Sequence, residues 1–109
     1  YTLTEDYHQL VNEGLKIGKR YIVKEVELLM YELQGNQIKI GALESALVEN
    51  LTRSQIKYLL SKLIEDEIVK VEGQLRGARY SLTTGFSDLR GDVLVASVMA
   101  HLRRKYESS

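Results

Sequence analysis

The stretch Thr52–Leu82 constrains the fold more than any other part of this 109-residue chain. Ile56, Leu59, Leu60, Leu63 and Ile64 recur at helical spacing, which predicts an amphipathic helix over Thr52–Glu65 with these residues in the core. Thr52 is placed to cap it, its hydroxyl oxygen accepting from orphan backbone N–H groups of the first turn. Ser54, Tyr58, Ser61, Lys62 and Glu65 point away from the apolar stripe, with Gln55 and Lys57 at its flanks. The period then changes. Ile68–Val71 is a β-branched run and Arg79–Leu82 is a second short strand candidate. Between them, Gly73-Gln74-Leu75-Arg76-Gly77 reads as the tip of a hairpin.

Upstream, Val23, Val26, Leu29, Met30 and Leu33 form one face of a helix predicted over Tyr21–Gln34. Gly35-Asn36 stops it, because both residues tolerate a left-handed backbone. Ile38–Ile40 alternates as a very short strand, and a small helix follows over Gly41–Val48. Two helices are expected outside this core of residues 21–82. Thr4 caps one over residues 4–17, with Tyr7, Leu10 and Val11 on one face. The other runs from Asp92 to Tyr106 and ends on Arg103, Arg104 and Lys105, which suit the negative end of a helix dipole. The expected class is mainly α with a small β-hairpin (α+β), as one domain over residues 1–109.

The element order is helix, short strand, short helix, helix, hairpin, and it resembles the winged helix-turn-helix superfamily. The segment LTRSQIKYLLSKLIEDEIVKVEGQLRGARYSL, Leu51–Leu82, carries the resemblance. Its marks are the cap Thr52, the pair Leu60 and Leu63, the strand start Ile68-Val69, the Gly/Arg-rich Gly73–Gly77 and the return Tyr80-Ser81-Leu82. The closing GQLRGARYSL is similar to the wings of bacterial helicase-related and Fic-type proteins and of small transcription regulators. In one respect the chain departs from the pattern: Glu67 stands where such turns carry glycine. A left-handed conformation there costs a non-glycine residue roughly 1 kcal/mol.

The resemblance implies a recognition helix at Thr52–Glu65, a wing at residues 73–79, and double-stranded DNA as partner. Thr52, Arg53, Ser54, Gln55, Lys57 and Tyr58 lie in the first two turns, the part of such a helix that reaches base edges. Gln55 suits a bidentate pair with adenine. Lys57, Tyr58 and Lys62 suit phosphates, and Arg76 and Arg79 on the wing suit the backbone or a minor groove. DNA binding predicts a positive stripe joining Lys57, Lys62 and Arg76. The same residues also read as an ordinary solvated face, and Glu65-Asp66-Glu67 as a surface helix end that repels phosphate.

Charge tempers the DNA reading without removing it. The chain carries 15 basic and 15 acidic residues, so no strong non-specific polyanion binder is expected. Residues 51–109 hold 10 basic against 7 acidic residues, which is where a nucleic-acid footprint belongs. A second use follows from the neutral balance and the three acids: a winged helix for protein–protein contact or assembly.

The apolar arc of the last helix exceeds what one core face requires. Val95, Val98, Met99 and Leu102 are therefore expected at a homodimer interface that places two recognition helices about one DNA turn apart, the alternative being that this helix folds back onto the Tyr21–Gln34 helix of its own chain. No enzyme is expected, for the chain lacks GxxxxGK[ST], GxGxxG and GxSxG patterns. No cofactor or metal is expected either: there is no cysteine, and His8 and His101 stand far apart. No apolar run is long enough to span a bilayer and no signal-like leader opens the chain, so the expected location is cytoplasmic, on the nucleoid in a bacterium.

Overall fold

Residues 16–18, 20–74 and 77–107 are described by a computed structural model of the chain. The expected helix over residues 4–17 lies mostly outside them. Its last two positions are not helical: Lys16–Ile17 is a strand, β1, paired antiparallel with β2, Tyr21–Ile22. Gly18, at φ +60°, starts the reversal between them, and a Cβ there would lie 2.4 Å from the Cβ of Tyr106. Only glycine lets the turn sit against the last helix. Tyr21 and Ile22 thus leave the helix that the sequence pattern had extended to them, and α1 runs Val23–Leu33.

The α1 stripe is as expected, with Val26, Leu29, Met30 and Leu33 buried. Gly35, at φ +67°, turns the chain into β3, Ile38–Lys39, and then α2, Ile40–Ala46. Helix α3 spans Arg53–Glu65 and buries Ile56, Leu59, Leu60 and Leu63, while Ile64 is half-buried. Strands β4, Val69–Glu72, and β5, Arg79–Leu82, form the hairpin in the register Val69 to Leu82 and Glu72 to Arg79. Strand β5 is central, with β3 on one side and β4 on the other, all antiparallel. Helix α4 spans Gly91–Tyr106.

The described residues thus make a small α+β domain of four helices and two small antiparallel sheets. Helix α1 packs on α4, α2 on α3, and α3 on β4, around one apolar cluster. Burying that cluster is the main force holding these short elements together, at about 25 cal/mol per Å² of apolar surface. No described helix is long and apolar enough to cross a membrane.

One expectation about α4 is corrected here. Val98 and Leu102 are fully buried, Met99 is 8% exposed, and Val95 packs half-buried against the same core. Helix α1 and strand β1 already cover that face. These side chains are not left over for a partner; the large apolar residue that α4 leaves exposed is Val93.

Candidate nucleic-acid interface

Helix α3 is fixed at both ends by its own sequence. At the start, Thr52 and Gln55 form a reciprocal capping box. The Thr52 hydroxyl accepts from the Gln55 backbone N–H at 3.1 Å, and the Gln55 side-chain oxygen accepts from the Thr52 N–H at 2.8 Å. This changes what Gln55 can do. A bidentate pair with adenine needs that same amide oxygen, so base reading by Gln55 would have to break the cap.

At the far end the chain reverses through Asp66 and Glu67. Glu67 takes φ +63°, the left-handed conformation that resembling turns fill with glycine. Its backbone oxygen accepts from the Thr83 hydroxyl at 2.7 Å, which ties the turn to the end of β5. The acidic run is not a plain surface helix end, because Asp66 is only 3% exposed. Its carboxylate accepts from the hydroxyls of Tyr21 and Tyr106, from Arg20 Nε at 3.3 Å and from Lys105 Nζ at 2.9 Å. Burial pushes this carboxyl up, but the bonds from Tyr106, Tyr21 and Lys105 outweigh it and hold it at about 2. Of the three acids, Asp66 faces inward and is neutralised. Glu65 is exposed and pairs with Arg20 Nη2 at 2.5 Å.

The expected contact residues of α3 separate into two groups. Ser54, Lys57 and Tyr58 are exposed, Tyr58 at 66%, and Lys57 forms no ion pair with a described residue. Arg53 is exposed but pairs with Glu44 of α2 at 3.2 Å. Lys62 is turned inward. It is half-buried, donates to the backbone oxygen of Arg20 at 2.5 Å, and lies 4.3 Å and 5.2 Å from the ring centres of Tyr58 and Tyr21. Burial lowers its pKa. Lys62 is therefore a support of the β1–β2 corner rather than a free cation on the outer face, and the stripe expected through it is interrupted. Arg76 lies outside the described residues. Arg79 is exposed on β5 opposite Lys39 and Glu72.

Between the front of α3 and the hairpin lies a groove of about 860 Å³, lined by Ile40, Arg53, Lys57, Gln74, Gly77, Ala78 and Tyr80. Gly73 shapes the hairpin beside it. At φ +86° it approaches Gly77 so closely that a Cβ would lie 2.8 Å from the Gly77 carbonyl oxygen. The walls of the groove therefore come from α3 and the hairpin, the two elements expected to touch a nucleic acid, with Ile40 of α2 beside them, and its cations are Arg53 and Lys57. Sequence patterning placed Ile40, Gln74 and Tyr80 in strand and hairpin but not among the contact residues. They meet only because β3 and β5 pair at Ile38 and Tyr80. The Gln55 constraint had a visible signal, since Thr-x-x-Gln is the spacing of a capping box.

The remaining charges of the last helix are largely spoken for. Lys105 pairs with Asp66, and Arg103 pairs with Glu107 at 3.6 Å. His101 stacks edge-on against Phe86, with 5.7 Å between ring centres. Among the described residues no three His, Cys, Asp or Glu side chains converge as a metal site. Comparison of the chain with protein-family models, with curated proteins and with solved structures finds no match.

Proposed function

We propose that the chain is a winged helix-turn-helix module that binds double-stranded DNA, with α3 entering the major groove and the β4–β5 hairpin acting as the wing. The element order from α1 to β5 and the placing of β5 between β3 and β4 support the fold assignment. The observation that carries the function is the groove. Exposed Lys57 and Arg53 on the first turns of α3 face the same open space as Gln74, Gly77 and Ala78 of the hairpin. A helix N-terminal half and a hairpin flanking one trough match the way such modules straddle a strand of the duplex. In this reading Lys57 and Arg53 hold phosphates, Ser54 and Tyr58 lie toward the base edges, and Arg76 and Arg79 extend the contact along the wing. The module serves a transcription regulator or the DNA-binding part of a larger DNA-processing protein.

Fluorescence anisotropy with a mixed-sequence duplex at low salt tests this. Binding is expected in the non-specific range of about 1–100 µM, weakened by Lys57→Glu and with a salt slope lower by about 1 for Lys57→Gln. No binding at ~50 µM protein sinks the proposal.

A second reading rests on the character of the same groove. Ile40 and Tyr80 give it an apolar lining, and the inward Lys62 leaves it less basic than the sequence suggested. Both features suit a peptide from a protein partner. That reading expects Lys57→Glu with Arg76→Glu to leave function intact; loss of function with the fold preserved removes it.

A further inference from the structure

Helix α3 turns one ridge straight outward and a flank to each side. Ile56, Leu59, Leu60 and Leu63 are buried. At about 100° per residue, the direction opposite to them is that of Ser54, Tyr58, Ser61 and Glu65, all exposed. Arg53 and Lys57 lie on the hairpin flank, where they line the groove of about 860 Å³. Gln55 and Lys62 lie on the other flank. With Tyr58 they line a cavity of about 300 Å³ against Lys16, Arg20 and Tyr21 of the β1–β2 corner.

Side chains tell base pairs apart chiefly through Arg or Lys on guanine, Asn or Gln on adenine, and Asp or Glu on cytosine. On α3 the groups of this kind are engaged within the chain, Lys57 excepted. The Gln55 amide oxygen closes the capping box by accepting from the Thr52 N–H at 2.8 Å. Arg53 Nε pairs with Glu44 at 3.2 Å. Lys62 donates to the Arg20 backbone oxygen, and Glu65 is held by Arg20 Nη2, each at 2.5 Å. Even the Ser61 hydroxyl donates within the helix, to the Tyr58 backbone oxygen at 2.7 Å. The ridge therefore offers the hydroxyls of Ser54 and Tyr58. A hydroxyl rotates to donate or accept, so it suits the edge of any base pair. Lys57 stands off the ridge, beside the hairpin, on the side where a phosphate strand passes.

We infer that α3 holds duplex DNA without selecting its sequence. This rests on the DNA-binding reading above and names the kind of DNA it takes: any duplex, held by its backbone. One bidentate pair separates the right base from a wrong one by about 5- to 150-fold. Sequence-specific proteins prefer their site by about 10³- to 10⁷-fold, which takes several such pairs. The outward ridge of α3 has none to contribute. Of the two uses named above, this favours the DNA-binding part of a DNA-processing protein over a transcription regulator. Glu44 has a part in it as well. Its carboxylate occupies Arg53 as a phosphate would, so the duplex must displace it to gain that contact, and binding is weaker for every sequence alike.

The test is repeated selection of duplexes from a random-sequence pool by the full chain at low salt. Fluorescence anisotropy then compares the selected pool with the starting pool and with A·T-rich and G·C-rich duplexes. All are expected to bind within about tenfold of one another. Lys57→Gln is expected to weaken every duplex by the same factor, with a salt slope lower by about 1. Glu44→Gln, which releases Arg53 and removes only a partly exposed ion pair, is expected to keep the fold. It should strengthen every duplex by the same factor, with a salt slope steeper by about 1. A selected sequence bound about 100-fold more tightly than the starting pool overturns this inference and leaves the DNA-binding reading standing. So does a Lys57→Gln loss confined to particular sequences. No binding by any duplex overturns the DNA-binding reading, and this inference falls with it.

Discussion

Replacing Asp66 by asparagine keeps the shape of the side chain and removes its charge. In the native chain that carboxylate collects two tyrosine hydroxyls, Arg20 and Lys105, and so fastens the turn after α3 to the β1–β2 corner and to the end of α4. Its pKa stands at about 2 against an ordinary 3.8. At about 1.4 kcal/mol per pH unit the difference amounts to roughly 2 kcal/mol, and the open cleft that Asp66 shares with His101 and Lys105 admits water, which screens this to about 1–2 kcal/mol. The sign follows from linkage. A depressed carboxylate contributes stability that is fully present above its unfolded pKa of 3.8 and is lost as pH falls through about 2. The neutral amide also accepts less strongly from Tyr21 and Tyr106, and it leaves Lys105 without its counter-ion. Asp66→Asn is therefore expected to lower unfolding free energy at pH 7 by about 2–4 kcal/mol, toward the range for breaking a buried pair. Urea denaturation followed by circular dichroism measures this as a lower midpoint at unchanged m-value. The native protein should lose stability between pH 5 and pH 2 more steeply than the variant, because the variant lacks the titrating group. A loss below about 0.5 kcal/mol at pH 7, or parallel pH profiles for the two proteins, would refute the role assigned to Asp66.

Two further substitutions probe the packing and the cap. Leu102→Ala should cost about 2–5 kcal/mol, since Leu102 is fully buried within the chain, and the loss should not depend on protein concentration. A melting temperature that rises with concentration in the native protein and not in the variant would instead put this face at a dimer interface. Thr52→Ala should cost about 1 kcal/mol in thermal or urea unfolding by removing one half of the capping box; no measurable loss would show that the box contributes nothing to α3.

Local information carries far into this chain. The stripes of α1, α3 and α4, the stop at Gly35, the cap at Thr52 and both strands of the hairpin follow from periodicity and turn residues within a few positions of one another. Such signals are legible because a helix face or a strand pair repeats its pattern over several residues. Strands β1 and β2 are two residues each, too short for any period, and they exist because Gly18 allows a turn against Tyr106. The excess read into α4 arose because a sequence shows how many apolar residues a helix has, not how many neighbours will cover them.

The stretch Thr52–Leu82 marks the division most clearly. Its sequence determined a capped amphipathic helix, a reversal and a hairpin, since all three are specified by residues close in the chain. Only the tertiary structure decided which charges of that helix stay outside. Asp66 and Lys62 meet partners 39 to 46 residues away, and those partners draw both groups inward. Lys57, with no such partner among the described residues, remains on the open face. A charge in water costs little wherever it stands, but a half-buried one must find its counter-charge or acceptor, and folding alone brings that group near.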